Sequence, residues 1–98
     1  MKKSKTGYVY VLKSLEFYKI GSSFSNVKSR IKIHKSSNPH IEVFGIYHVF
    51  DSHNFEKFLH SLFDDKRKRG TEWFLLSEDE VMKLKNILLK GQDKLYEQ

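Results

Sequence analysis

Two short apolar runs near the start of the chain, G-Y-V-Y-V-L at 7–12 and F-Y-K-I-G-S at 17–22, are separated by only K-S-L-E. So short a link reads as a hairpin. The first strand is expected over about Gly7–Lys13, with Val9 and Val11 on one face and Tyr8, Tyr10 and Leu12 on the other, so both faces can be buried. Ser14–Glu16 supplies the turn and about Phe17–Ser22 the second strand. Gly21, which closes that strand, permits an unusual dihedral or the close approach of another backbone. In the segment that follows, Val27, Arg30, Ile31 and His34 fall on one helical stripe, so Arg30 and His34 are expected to face inward. Tyrosines, a lysine, an arginine and a histidine thus converge within Gly7–His34.

That helix is expected to be capped by Ser25 or Asn26 and to run to about Lys35, with Lys28, Lys32 and Lys35 in solvent, where they could meet phosphates. Pro39 marks a loop at Ser36–His40. Ile41–Phe50 alternates with apolar residues on both faces, which predicts a long strand, central or with its edge protected. Asp51 or Ser52 then caps the clearest amphipathic helix, carried by Phe55, Phe58, Leu59, Leu62 and Phe63, with Glu56 and His60 at the border of its buried face. D-D-K-R-K-R-G ends it, Gly70 suiting the C′ position and the cations the helix terminus. T-E-W-F-L-L reads as a short strand or extended segment. Ser77 and Glu80 make a capping box, and Val81, Leu84 and Leu88 carry a last helix to Lys90, stopped by Gly91.

Ninety-eight residues is a single-domain length, and with 39% apolar and 14% aromatic side chains the chain can bury a core unaided. The expected organisation is a basic tail at 1–6, one domain at 7–91 and a frayed end at 92–98. No cysteine is present, which excludes disulfides and thiolate metal sites. No stretch has the length of a signal peptide's apolar region or of a membrane span, so a soluble intracellular protein is expected. The net charge is +6, and the basic residues cluster at Lys2–Lys5, Lys28–Lys35 and Lys66–Arg69. Clustering favours a polyanionic partner, because neutralising neighbouring phosphates releases counterions. An ordinary lysine-rich surface is the plain alternative.

Y-V-Y at 8–10, K-I-G at 19–21, Arg30, Glu56 and T-E-W-F at 71–74 stand in an order and spacing that resembles the GIY-YIG nuclease superfamily, particularly its small phage, viral and bacterial branch with K-I-G in the second motif. The resemblance covers about residues 7–76. It implies an α/β (α+β) domain with a small antiparallel sheet of about three strands flanked by helices. It also implies hydrolysis of DNA phosphodiesters with one divalent metal, Mg²⁺ or Mn²⁺ in its place. Tyr10 matches the tyrosine that helps activate water, Arg30 the arginine that holds the scissile phosphate, Glu56 the lone metal ligand, and His34 a histidine proposed in some members to carry a proton. Lys19 stands where the second motif usually has tyrosine, and Tyr18, displaced by one, points to the opposite face.

The chemistry of these residue types agrees. A guanidinium can contact two phosphate oxygens while staying ionised, and Mg²⁺ needs only one or two carboxylates beside its waters and the substrate's oxygens. A phenol is a poor base, so Tyr10 needs a neighbouring cation or metal. The expected function is a metal-dependent DNA endonuclease, with Tyr10, Lys19, Arg30, His34 and Glu56 catalytic, Lys28, Lys32, Lys35, Arg67 and Arg69 on nucleic acid, and RNA left open as a substrate. The chain is expected to be a monomer or weak dimer. The rivals are a catalytically silent nucleic-acid-binding module and a protein-interaction domain using an aromatic surface. His60 reads as a support for Glu56 or the sheet, and Trp73 as core or as a stacking platform.

Overall fold

The computed structural model describes residues 6–92. Its elements are β1 (Thr6–Ser14), β2 (Phe17–Ser23), α1 (Val27–Ser37), β3 (Glu42–Phe50), α2 (Ser52–Leu62), β4 (Trp73–Leu75) and α3 (Glu78–Gly91), with a single 3₁₀ turn at Asp64–Lys66. The expected α+β domain is observed, but its antiparallel sheet has four strands rather than three, in the order β3-β1-β2-β4. The additional strand is the T-E-W-F-L-L segment, of which three residues pair with the outer side of β2. So short a strand carries too little alternation to be told from an extended loop.

The hairpin closes through the pair Ser14 and Phe17, leaving Leu15 and Glu16 as a two-residue turn. Leu15 sits there at φ 56, a conformation that favours glycine. β1 is the strand buried at the centre, with Val9, Val11 and Leu12 fully covered. β3, expected to be central or edge-protected, lies at the edge of the sheet, where among the described residues an isolated bridge joins Gln92 to Val49. Its two apolar faces part company: Tyr47 and Val49 are buried, whereas Val43, Ile46 and Phe50 stay open to solvent.

The sheet is covered on both faces. Val9, Val11, Tyr18 and Ile20 pack with Leu59 of α2, with Phe63 just after it, and with Leu84 and Leu88 of α3, while Tyr10 and Leu12 pack with Ile31 of α1 and with Ile41. Each fully buried leucine contributes roughly 1.5–3 kcal/mol. Within the α2 stripe Phe58 departs from expectation and remains exposed. Ser77 and Glu80 form the expected capping box on α3. Asn26 and Asp51 occupy the N-cap positions of α1 and α2, but in left-handed conformation and without a side-chain cap bond. Gly70 is not at the C′ position of α2, which ends at Leu62. It lies in the loop before β4 at φ +76.

Of the expected tails, Thr6 belongs to β1 and Gln92 bridges to β3, while residues 1–5 and 93–98 lie outside the described residues. Among the described residues, no helix is long and apolar enough to cross a membrane.

Candidate functional site

Strand pairing sets the stage. Cross-strand neighbours share a face, so Lys19, opposite Leu12, lies on the same face as Tyr10, under α1. Tyr18 lies on the other face, buried against the ring of Phe44 at 5.5 Å. Tyr10 itself is opposite Gly21, and its ring fills the space a side chain there would need: a Cβ on Gly21 would stand 2.5 Å from the Tyr10 hydroxyl. The close approach expected at Gly21 is thus made by an aromatic ring rather than by backbone.

From that position the Tyr10 hydroxyl meets His34 Nε2 of α1 at 3.3 Å. Burial raises the Tyr10 pKa; Arg30's charge pulls it down, and Glu56 and Glu72 push it up. Burial lowers the pKa of His34, as do the charges of Lys19 and Arg30, against an opposing effect of Glu72. Near neutral pH the phenol is therefore protonated and the imidazole uncharged. With the ring proton on Nδ1, Tyr10 donates to a free Nε2 lone pair.

Arg30 does not face inward as its place on the stripe suggested. It is exposed and, among the described residues, has no carboxylate partner, yet its charge is felt at both Tyr10 and His34. Lys28, Lys32 and Lys35 are exposed too, but lie roughly 140–200° around the helix from Arg30. They form a separate stripe on the far flank. In the loop before β4, Arg67 packs over the Phe74 ring at 5.2 Å, with Asp64 3.8 Å from its Nε, and Arg69 is exposed.

Glu56 comes from the opposite layer. β4 pairs with β2 only as far as Lys19, and beyond it α2 lies along β2. Ser22 Oγ donates to Glu56 Oε1, while His60 Nε2 donates to the carbonyl of Ile20 at 2.8 Å and stands 3.5 Å from Glu56 Oε2. A nitrogen that donates to a carbonyl has no lone pair for a metal, so His60 supports the carboxylate and the strand. Among the described residues no three histidine or acidic side chains gather around a point. A lone carboxylate suits Mg²⁺, which takes one or two carboxylates and keeps its waters, better than it suits a metal that needs an all-protein cage.

Two participants were not singled out from sequence. Ser22 has no marking beyond its place after Gly21. Glu72, within the T-E-W-F motif, holds Lys19 Nζ at 3.0 Å and has its pKa lowered by that hydrogen bond. Side chains from β1, β2, α1, α2 and the β4 approach therefore act on one another, although only Tyr10 and His34 among the five expected catalytic residues touch directly.

No curated protein and no solved structure matches the chain. The model of the T5orf172 domain matches residues 7–89, which takes in the whole of this arrangement. That domain is linked to nuclease-type folds and supports a nuclease-like or nucleic-acid-binding module. On that match the chain belongs to the T5orf172 domain family.

Proposed function

We propose that this chain is a GIY-YIG-type endonuclease that hydrolyses DNA phosphodiesters with the help of a divalent metal. The observation that carries the reading is the hydrogen-bonded Tyr10–His34 pair, uncharged at neutral pH, with the guanidinium of Arg30, which has no carboxylate partner among the described residues, close enough for its charge to act on both. Arg30 grips two oxygens of the scissile phosphate and absorbs charge as the pentacoordinate state forms. The Tyr10 hydroxyl takes a proton from the attacking water as it passes its own to His34 Nε2, so no free phenolate is needed and the proton ends on an imidazole that is neutral beforehand. Glu56, held by Ser22 and His60, would carry Mg²⁺ or Mn²⁺, which supplies charge neutralisation at a phosphate oxygen. Lys19 adds a second cation on the Tyr10 face.

Cleavage of supercoiled plasmid in Mg²⁺ tests this. Arg30→Ala and Glu56→Ala are each expected to slow cutting by roughly 10²–10³-fold, and unchanged cutting by Glu56→Ala overturns the site. A second reading, a silent nucleic-acid-binding module, is favoured by one observation: the only cation that replaces the second-motif tyrosine is already neutralised by Glu72. Salt-sensitive DNA binding with no metal-dependent cutting decides for it.

A further inference from the structure

A groove of about 380 Å³ opens between the β1–β2 turn, the C-terminal half of α1 and the loop that leads into β4. Leu15, Phe17, His34, Ser37, Lys68 and Trp73 are among its walls. It adjoins the candidate site directly. His34, which lines it, is the residue bonded to Tyr10, and Trp73 is the register partner of Lys19, whose ammonium stands 5.9 Å from the indole centroid.

We infer that this groove takes an unpaired nucleobase from the strand whose phosphate lies at Arg30 and Lys19, stacked against Trp73. The inference rests on the reading of the site as a phosphodiester site. Three observations carry it. The volume lies at the low end of the roughly 300–1,000 Å³ of small-ligand sites, room for one nucleotide but not for a base pair. Aromatic and cationic groups stand together here: within the walls Lys68 lies 5.5 Å from the Phe17 ring, and Trp73 adjoins Lys19, which lies outside the lining and is paired with Glu72. That interleaving is how proteins hold single strands, the ring meeting a base and the cation the adjoining phosphate. The lining residues also include a cation, Lys68, and no carboxylate, whereas a larger groove of about 650 Å³ on the other side of Phe17 is lined by Glu16, Asp65 and Glu80 together with Lys66, Arg67 and Lys68, so its charges balance. Leu15, four-fifths exposed at the rim, gains an apolar neighbour when a base is seated.

A base inside a duplex cannot reach such a groove unless it leaves the stack. The domain therefore selects a strand with an unpaired nucleotide beside the scissile bond, such as a flap, a loop or a single strand, rather than a base sequence.

Trp73 is the protein's sole tryptophan, so its emission reports on this groove alone. The whole chain, with a chelator present to prevent cutting, is titrated with three probes: a short single-stranded DNA, the same length of abasic strand, and the blunt duplex. Stacking predicts quenching of Trp73 by the single strand and affinity about ten-fold above that of the abasic strand of equal charge, with emission unmoved by the duplex. Ser37→Glu, which places a carboxylate in the groove from an exposed helix position, should weaken single-strand binding at least five-fold more than Ser36→Glu, its neighbour outside the groove lining with the same charge. Equal affinity for normal and abasic strands, or single-strand binding that leaves Trp73 emission unchanged, overturns the inference. Plasmid cutting that depends on Arg30 with a silent Trp73 refutes the groove while leaving the nuclease, stacking without cutting does the reverse, and absence of all nucleic-acid binding removes both.

Discussion

Gly21→Ala should destabilise the protein by about 2 kcal/mol, and only because of Tyr10. The glycine is not demanded by its dihedral, since among the described glycines only Gly70 has positive φ. It is demanded by space. The new methyl would lie 2.5 Å from the Tyr10 hydroxyl and 2.8 Å from Cε1, where carbon contacts normally sit at roughly 3.5–4.0 Å. The ring must move by about an ångström, yet Tyr10 is 2% exposed and bounded by Leu12, Ile31 and Ile41. Overpacking of this kind costs about 1–3 kcal/mol, and displacing the hydroxyl also strains the bond to His34, itself worth about 0.5–1.5 kcal/mol. A loss of about 2 kcal/mol lowers the thermal midpoint of a domain this size by roughly 8–16 °C. The assay is urea unfolding of four proteins: wild type, Gly21→Ala, Tyr10→Leu and the double variant. Leucine at position 10 lacks the crowding atoms, so in that background Gly21→Ala should cost nothing or stabilise by about 0.4–1 kcal/mol through a stiffer unfolded chain. An equal loss in both backgrounds refutes the reasoning.

Leu15→Gly relieves a positive φ in the hairpin turn and is expected to raise stability by about 0.5–1 kcal/mol, read from the denaturation midpoint. Ser52, 1% exposed, has a hydroxyl with no hydrogen-bond partner among the described residues, so Ser52→Ala should stabilise by about 1 kcal/mol in the same measurement. His34 titrates below its ordinary value because burial and then the Lys19 and Arg30 charges disfavour its cation. The unfolded chain therefore takes up a proton first, and the stability present above about pH 6.5 is lost as the pH falls toward the lower folded value. His34→Gln should flatten that part of the stability profile; an unchanged slope refutes the assignment.

The periodic elements were legible because periodicity is local. Phe55, Leu59, Leu62 and Phe63 announce α2 from spacing alone, and Ser77 with Glu80 announces the start of α3. Where a side chain projects from the margin of a stripe, spacing stops deciding. Arg30 shares a stripe with Val27, Ile31 and His34, but it lies some 60° from their centre, and a charged group at that angle turns to water while Ile31 stays buried. The placing of β3, central or with its edge protected, stayed open for a related reason. Alternation shows which faces are apolar but carries no information about whether a second strand is available for its outer edge.

The site was legible as a set of residue types and not as a network, because its bonds join positions far apart: Ser22 with Glu56 across 34 residues, and Lys19 with Glu72 across 53. The second pair changes the meaning of the departure at Lys19. Its side chain is only 12% exposed, and a mostly buried ammonium needs an anion beside it. Glu72, 55% exposed, provides one that an incoming phosphate can replace at small cost, since a half-exposed partner is weakly held. The lysine and the glutamate are thus one unit. Restoring tyrosine by Lys19→Tyr alone would leave the Glu72 carboxylate without the ammonium it holds, close to a phenol whose pKa its charge already raises. Lys19 makes sense at this position only with Glu72 present.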